Sequence, residues 1–296
     1  MRIASLVLIF GVALPVEGCA LDEQTIPFVL QDNLVHVTAQ LNGQSVSAVL
    51  DSGTDGVIVN RSHTSALDVV QGAAAGSALG GGSSPQQLSA IGIGEVKLGP
   101  IRLSDVAGFA LDLQSLSASA GFPVDALIGN PVFAASAIKI DYRTQTVTFM
   151  PSNRAPACRN LIPLKIINGV PIVEVVLRPK KTGDAPVILH LIVDLGTRHF
   201  AAVVGGSFLH SPAGQALLRS GRPQQIGTGT GGAVDGTSVQ VAELDVADKR
   251  FSNLEIALTG QVRAFDSGFA DGSLGVPLWK HGAITFDYAD RDLCLD

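Results

Sequence analysis

The sequence predicts an all-β protein with a few short helices, folded as two similar β-barrel lobes with a cleft between them. Three observations carry that prediction. The composition suits strands and turns, the chain is written twice, and each copy ends an apolar strand on an aspartate.

Of 296 residues, 46% are hydrophobic, enough to build a core, and only 16% are charged. The 33 glycines and 15 prolines call for many turns, which favours hairpins over a helical bundle. The formal charge of −6 is scattered, and no basic stripe exists to neutralise a row of phosphates. Nucleic acid is therefore not an expected partner.

The chain opens on Arg2, an apolar run over 3–16, and the small residues Gly18, Cys19 and Ala20. That pattern predicts a signal peptide at 1–20 and a protein exported across the inner membrane to the periplasm. Two alternatives stay open. The run is short for a membrane span but is also readable as an uncleaved anchor. Cys19 is readable as a lipid attachment point, which Val16 and Gly18 suit and Glu17 does not, and lipid there would tether the protein to the membrane. Cys158 and Cys294 then remain, either as a disulfide or as two buried thiols. The histidines at 36, 63, 190, 199, 210 and 281 have no close metal-binding spacing, so neither metal nor other cofactor is expected.

The duplication sets the architecture. Ser47-Ala48-Val49-Leu50 runs into Asp51-Ser52-Gly53-Thr54, and Leu191-Ile192-Val193 runs into Asp194-Leu195-Gly196-Thr197. Downstream come Leu127-Ile128-Gly129 in one copy and Leu274-Gly275 in the other, each followed by an apolar strand ending in Asp141-Tyr142 or Asp287-Tyr288. Gly129 to Asp141 and Gly275 to Asp287 are both 12 residues apart, while the aspartate-to-glycine intervals are 78 and 81. Three elements in one order at matching separations define lobes at 21–155 and 156–296. Asn42-Gly43 and Asn168-Gly169 each read as a hairpin turn ahead of an aspartate strand. Alternating apolar residues at Val35, Val37 and Ala39, and at Val239 and Val241, predict strands. Short helices are expected near 62–70 and 211–218, and a proline-rich connection at 151–163.

An aspartate at a strand end, followed by glycine and threonine, is arranged for chemistry. Gly53 and Gly196 permit a tight turn that brings backbone N–H groups to the carboxylate. Thr54 and Thr197 can donate their hydroxyls to it. If the loops meet on a pseudo-twofold axis, Asp51 and Asp194 cannot both ionise and share one proton. One then serves as base on a water while the other polarises a carbonyl, which is metal-free peptide hydrolysis.

These residues resemble the aspartic proteases, most closely the bacterial retropepsin-like members. The resemblance covers both copies and is the more specific in the first. It implies an endopeptidase with Asp51 and Asp194 as catalytic pair, supported by Ser52, Gly53, Thr54, Gly196 and Thr197. It also implies that Leu127, Ile128, Gly129, Leu274 and Gly275 brace the loops from behind. Flaps over the cleft would lie near 80–82 and 227–232. The implied partner is a peptide or unfolded protein, and the chain, holding both lobes, would be a monomer.

Leu195 departs from the pattern, because the family places a hydroxyl there to hydrogen-bond across to the other loop. Arg198 and His199 follow, and a nearby cation would favour an ionised Asp194. The only tyrosines are Tyr142 and Tyr288, so the flap tyrosine of pepsin-like enzymes is absent. The alternative is therefore a weak or inactive protein of the same fold that holds a peptide without cutting it. A third possibility pairs the first lobes of two chains. The Gly227–Gly232 run matches a dinucleotide fingerprint, but strand-like alternation follows where that loop needs a helix. No Gly-x-Ser-x-Gly elbow suggests a serine hydrolase.

Overall fold

The computed structural model describes residues 23–77, 80–82, 84, 86–152, 158, 160–180 and 185–296. The expected signal peptide and Cys19 lie outside the described residues. The fold is mainly β with a few short helices, as the composition predicts.

The first half contributes β1 (Gln24–Pro27), β2 (Val29–Gln31), β3 (Leu34–Leu41), β4 (Gln44–Leu50), β5 (Val57–Asn60), β6 (Val70–Ser77), β7 (Gln87–Leu98) and β8 (Ile101–Leu111). Helix α1 (Gln114–Ala120), β9 (Ala126–Ile128), α2 (Asn130–Ala135), β10 (Ala137–Asp141) and β11 (Thr146–Met150) follow. The second half contributes β12 (Leu161–Pro163), β13 (Lys165–Ile167), β14 (Val170–Pro179), β15 (Val187–Val193) and β16 (Ala202–Val204). It continues through α3 (Pro212–Ser220), β17 (Arg222–Gly229), β18 (Gly232–Val246), β19 (Lys249–Leu258), β20 (Gly272–Leu274), β21 (Ala283–Asp287) and β22 (Asp292–Leu295).

One eight-stranded sheet has the order β2-β3-β4-β9-β5-β8-β7-β6, and β3 also pairs with β7, which closes it into a barrel. The other eight-stranded sheet has the order β13-β14-β15-β20-β16-β19-β18-β17, with a β14–β18 pairing. Position for position, β4 answers to β15 and β9 to β20. This alignment revises the turns: Asn168-Gly169 joins β13 to β14 and answers to Asp32-Asn33, whereas Asn42-Gly43 joins β3 to β4. All six residues have positive φ, from 49° to 80°, which Asn, Asp and Gly tolerate best.

A third sheet, β1-β11-β10-β21-β22-β12, draws on both halves. The two Asp-Tyr strands are its central neighbours, with Ile138 opposite Phe286 and Ile140 opposite Ile284. All four side chains are buried in the main core cluster, which runs through both halves. Each such side chain contributes roughly 1.5–3 kcal/mol relative to exposure. Leu161–Pro163, expected within the connection, is instead a strand paired with β22. Beside it Cys158 and Cys294 form a disulfide that fastens the mid-chain segment to the last strand. Residues 153–157 of the expected connection lie outside the described residues.

Of the two expected helices, α3 forms, capped by the Ser211 hydroxyl on the Gly214 N–H. The stretch 62–70 makes only a 3-10 turn at Arg61–His63. Asp68 takes φ 48°, which ends any helix there and turns the chain into β6.

Candidate active site

Each aspartate stands where a central strand leaves its sheet. Strand β4 runs parallel to β9, with Leu50 beside Ile128, and the Asp51 N–H donates to the Ile128 carbonyl at 3.0 Å. In the second half β15 runs parallel to β20, with Val193 beside Leu274, and the Asp194 N–H donates to the Leu274 carbonyl at 3.1 Å. Leu127, Ile128 and Leu274 thus lie directly behind the loops, followed by Gly129 and Gly275. A methyl on Gly129 would overlap the Thr54 carbonyl, so that close crossing requires glycine.

The two loops hold their carboxylates identically. Asp51 accepts from the Gly53 N–H at 2.9 Å and from the Thr54 hydroxyl at 3.0 Å. Asp194 accepts from the Gly196 N–H at 2.7 Å and from the Thr197 hydroxyl at 2.8 Å. Thr197 is itself hydrogen-bonded to Ser273 at 2.7 Å. The loops face each other closely. A methyl built on Gly53 would come within 2.6 Å of Asp194 Oδ1, and one on Gly196 would lie 3.2 Å from both Asp51 oxygens.

The loops are also stitched together from one side. The Ser52 hydroxyl, fully buried, donates to the Val193 carbonyl at 2.7 Å and accepts from the Leu195 N–H at 3.1 Å. Leu195 offers no hydroxyl in return, and its side chain is buried in the main core.

Both carboxylates touch a cavity yet are enclosed by protein on their other sides. Burial, then the neighbouring Asp51 charge, raises Asp194 from its ordinary 3.8 to about 7, against the lowering bonds from Thr197 and Gly196. Burial also raises Asp51, opposed by its bonds to Thr54 and Gly53. The sequence suggested the reverse for Asp194, through a cation at 198. Arg198 instead turns away to bind the Asp32 carboxylate, so its charge is spent elsewhere. His199 lies 3.9 Å from Asp32, and His190 sits between Glu174 and Asp271, at 3.8 and 3.9 Å.

The cavity above the pair measures about 830 Å³, and its walls are largely apolar, with Ile58 and Phe109 from the first half of the chain and Ile192 and Phe265 from the second. The two glycine-rich stretches meet over it. The Gly231 N–H donates to the Gly81 carbonyl at 2.9 Å, and the Ser84 N–H to the Gly231 carbonyl at 3.1 Å.

The aspartyl protease family profile matches residues 37–132 of this chain, from within β3 to α2, and so includes Asp51. The chain has an aspartic-protease-like fold. Among solved structures, a retropepsin-like aspartic protease from Rickettsia conorii is 13% identical, covering 43% of this chain and 89% of its own, at a TM-score of 0.31. Basic 7S globulin from soybean is also 13% identical, covering 92% of this chain and 94% of its own, at a TM-score of 0.46. No curated protein matches.

For several residues the part they play at the site has no signal in the sequence. Tyr288 feels the pair from within the core: burial first, then the charges of Asp51 and Asp194, pushes its hydroxyl above the usual tyrosine range. Arg198 makes its contacts through Asp32, Asn33, Ser119 and Thr228, which are scattered along the chain. The cavity walls come from strands whose facing is fixed only by the sheet order.

Proposed function

We propose that this chain is an exported aspartic endopeptidase of two pseudo-symmetric lobes, acting as a monomer on peptide segments. One observation carries the proposal: two Asp-x-Gly-Thr loops, bonded alike, bring their carboxylates together at the floor of a largely apolar cavity.

The chemistry follows from one shared proton. With Asp194 raised to about 7, the pair is singly protonated through the mildly acidic range. The ionised carboxylate takes a proton from a water that lies between the two groups. The water oxygen attacks the peptide carbonyl carbon while the protonated carboxyl donates to the carbonyl oxygen. Collapse of the tetrahedral adduct breaks the C–N bond: the proton first taken from water passes to the leaving nitrogen, and an adduct hydroxyl returns its proton to the carboxylate that had donated one, restoring the singly protonated pair. Gly53, Thr54, Gly196 and Thr197 hold each carboxylate's orientation throughout. The apolar walls exclude water and favour an extended peptide with apolar side chains, beneath the joined glycine-rich stretches.

A second reading, a peptide-binding protein that does not cut, is favoured by Leu195, which leaves Ser52 as the sole hydroxyl between the loops. Unfolded casein incubated with the purified protein from pH 4 to 8, with a metal chelator present, separates the two. Cleavage that disappears above about pH 7 supports the peptidase. Peptide binding by calorimetry without cleavage, from protein shown to be folded, supports the second reading.

A further inference from the structure

We propose that Arg198 is a positioning residue that ties the second aspartate loop to the first half of the chain and to the β17–β18 hairpin roofing the cavity. It follows Thr197 directly and is only 4% exposed. A guanidinium removed from water needs partners for its donors, and the structure supplies three beyond its own loop. Arg198 donates to the Asp32 carboxylate, to the Ser119 hydroxyl at 3.1 Å and to the Thr228 carbonyl at 3.0 Å. Asn33 closes the cluster by donating its side-chain amide to the Arg198 carbonyl at 2.7 Å.

Those partners sit on separate elements. Asp32 and Asn33 form the β2–β3 turn, with φ of 50° and 59°, a conformation these two residue types accept readily. Ser119 lies near the end of α1, and Thr228 lies on β17 at the cavity edge. The hairpin tip holds glycine at 227, 229, 231 and 232, so its backbone has little conformational preference of its own. A fixed bond to the Thr228 carbonyl supplies the order that composition withholds. The guanidinium reaches the three acceptors from two nitrogens of a rigid planar fork, Nη1 to Asp32 and Nη2 to Ser119 and Thr228, a spread that an ammonium with its donors on one atom does not offer.

The first loop has no such device. Asp55 occupies the matching position, is exposed, and makes no hydrogen bond or ion pair among the described residues. The tie is therefore a property of the second loop, distinct from the bonds that orient its carboxylate. Arg198's part in turnover presupposes the peptidase reading; its part in holding the hairpin does not.

Hydrogen exchange of the purified protein with Arg198→Met and Arg198→Lys tests this. The Asp32 carboxylate is 28% exposed, so water can take over its solvation when the guanidinium is removed. In Arg198→Met, amides of 226–230 should exchange at least about tenfold faster, while those of 87–98 stay unchanged. Arg198→Lys should fall between this variant and the parent. KM for a casein-derived peptide should rise in the same order, with kcat changing less. Equal exchange in 226–230 for a folded Arg198→Met would overturn the proposal. If Arg198→Met does not fold, Asp32→Asn replaces it, with a smaller acceleration in the same segment expected and unchanged exchange again contradicting. A parent protein that cleaves nothing removes the kinetic comparison along with the peptidase reading, and exchange alone then decides.

Discussion

The loops Asp51-Ser52-Gly53-Thr54-Asp55 and Asp194-Leu195-Gly196-Thr197-Arg198 agree at their first, third and fourth positions and differ at the second and fifth. The agreeing positions are those that bond the carboxylate, and they do so with the same atoms at nearly the same lengths. The differing positions set how each loop is attached to the opposite half. The first loop reaches across through the Ser52 hydroxyl, and the second through the Arg198 guanidinium. Carboxylate geometry and loop attachment are thus separable in this molecule. A duplicated site can keep the former strictly while the latter drifts.

The largest expected effect tests the shared part. Asp51→Asn and Asp194→Asn should each lower casein cleavage at pH 5 by at least about 10²–10⁴-fold, the usual contribution of an acid or base. Unequal losses would break the equivalence of the loops. Next is stability against pH. Asp194 is raised by folding from 3.8 to about 7, so the folded state binds the extra proton and its stability falls as pH rises between those values. Asp194→Asn removes that dependence. At pH 8 it should be more stable to urea than the parent, by at most about 4 kcal/mol, since one pKa unit corresponds to about 1.4 kcal/mol. A denaturation midpoint no higher than the parent's at pH 8 would contradict the raised value.

The attachment side is probed by smaller changes. Ser52→Ala strands the buried Val193 carbonyl and Leu195 N–H, with an expected cost of about 1–3 kcal/mol in urea unfolding. A neutral result would mean that the stitch carries no energy. Leu195→Thr offers the second loop a hydroxyl of its own toward the Leu50 carbonyl, the counterpart of Val193. One added hydrogen bond is worth about 0.5–1.5 kcal/mol, so kcat/KM should rise by about 2–10-fold. Lower activity in a folded variant would show that Leu195 suits its apolar surroundings better than any brace.

What the sequence disclosed follows from what is local. Asp-x-Gly-Thr, the apolar strand before it and the Leu-Ile-Gly segment are short strings whose geometry depends on adjacent residues, so the strand ends and turns they form could be located along the chain. The order of the repeated elements was readable for the same reason. The shared six-stranded sheet was not, because β1 and β12 have no pattern that names β11 and β22 as partners. Residues 62–70 misled through a helix-like composition, which a left-handed Asp68 defeats. Arg198 misled through proximity in sequence: next to the aspartate loop in the chain, its side chain faces Asp32 in space. Tyr288, marked in the sequence as a strand end, is also buried within reach of the carboxylates' charge, which only the packing of the core reveals.

The most direct measurement of the central claim is casein cleavage at pH 5 by Asp194→Asn alone, with Asp51→Asn beside it and the oligomeric state recorded by sedimentation. If the two unlike loops act as one pair within a chain, both variants are monomeric and both are inactive. An active Asp194→Asn with an inactive Asp51→Asn, sedimenting as a dimer, would contradict this account and move the reaction to two first loops from separate chains.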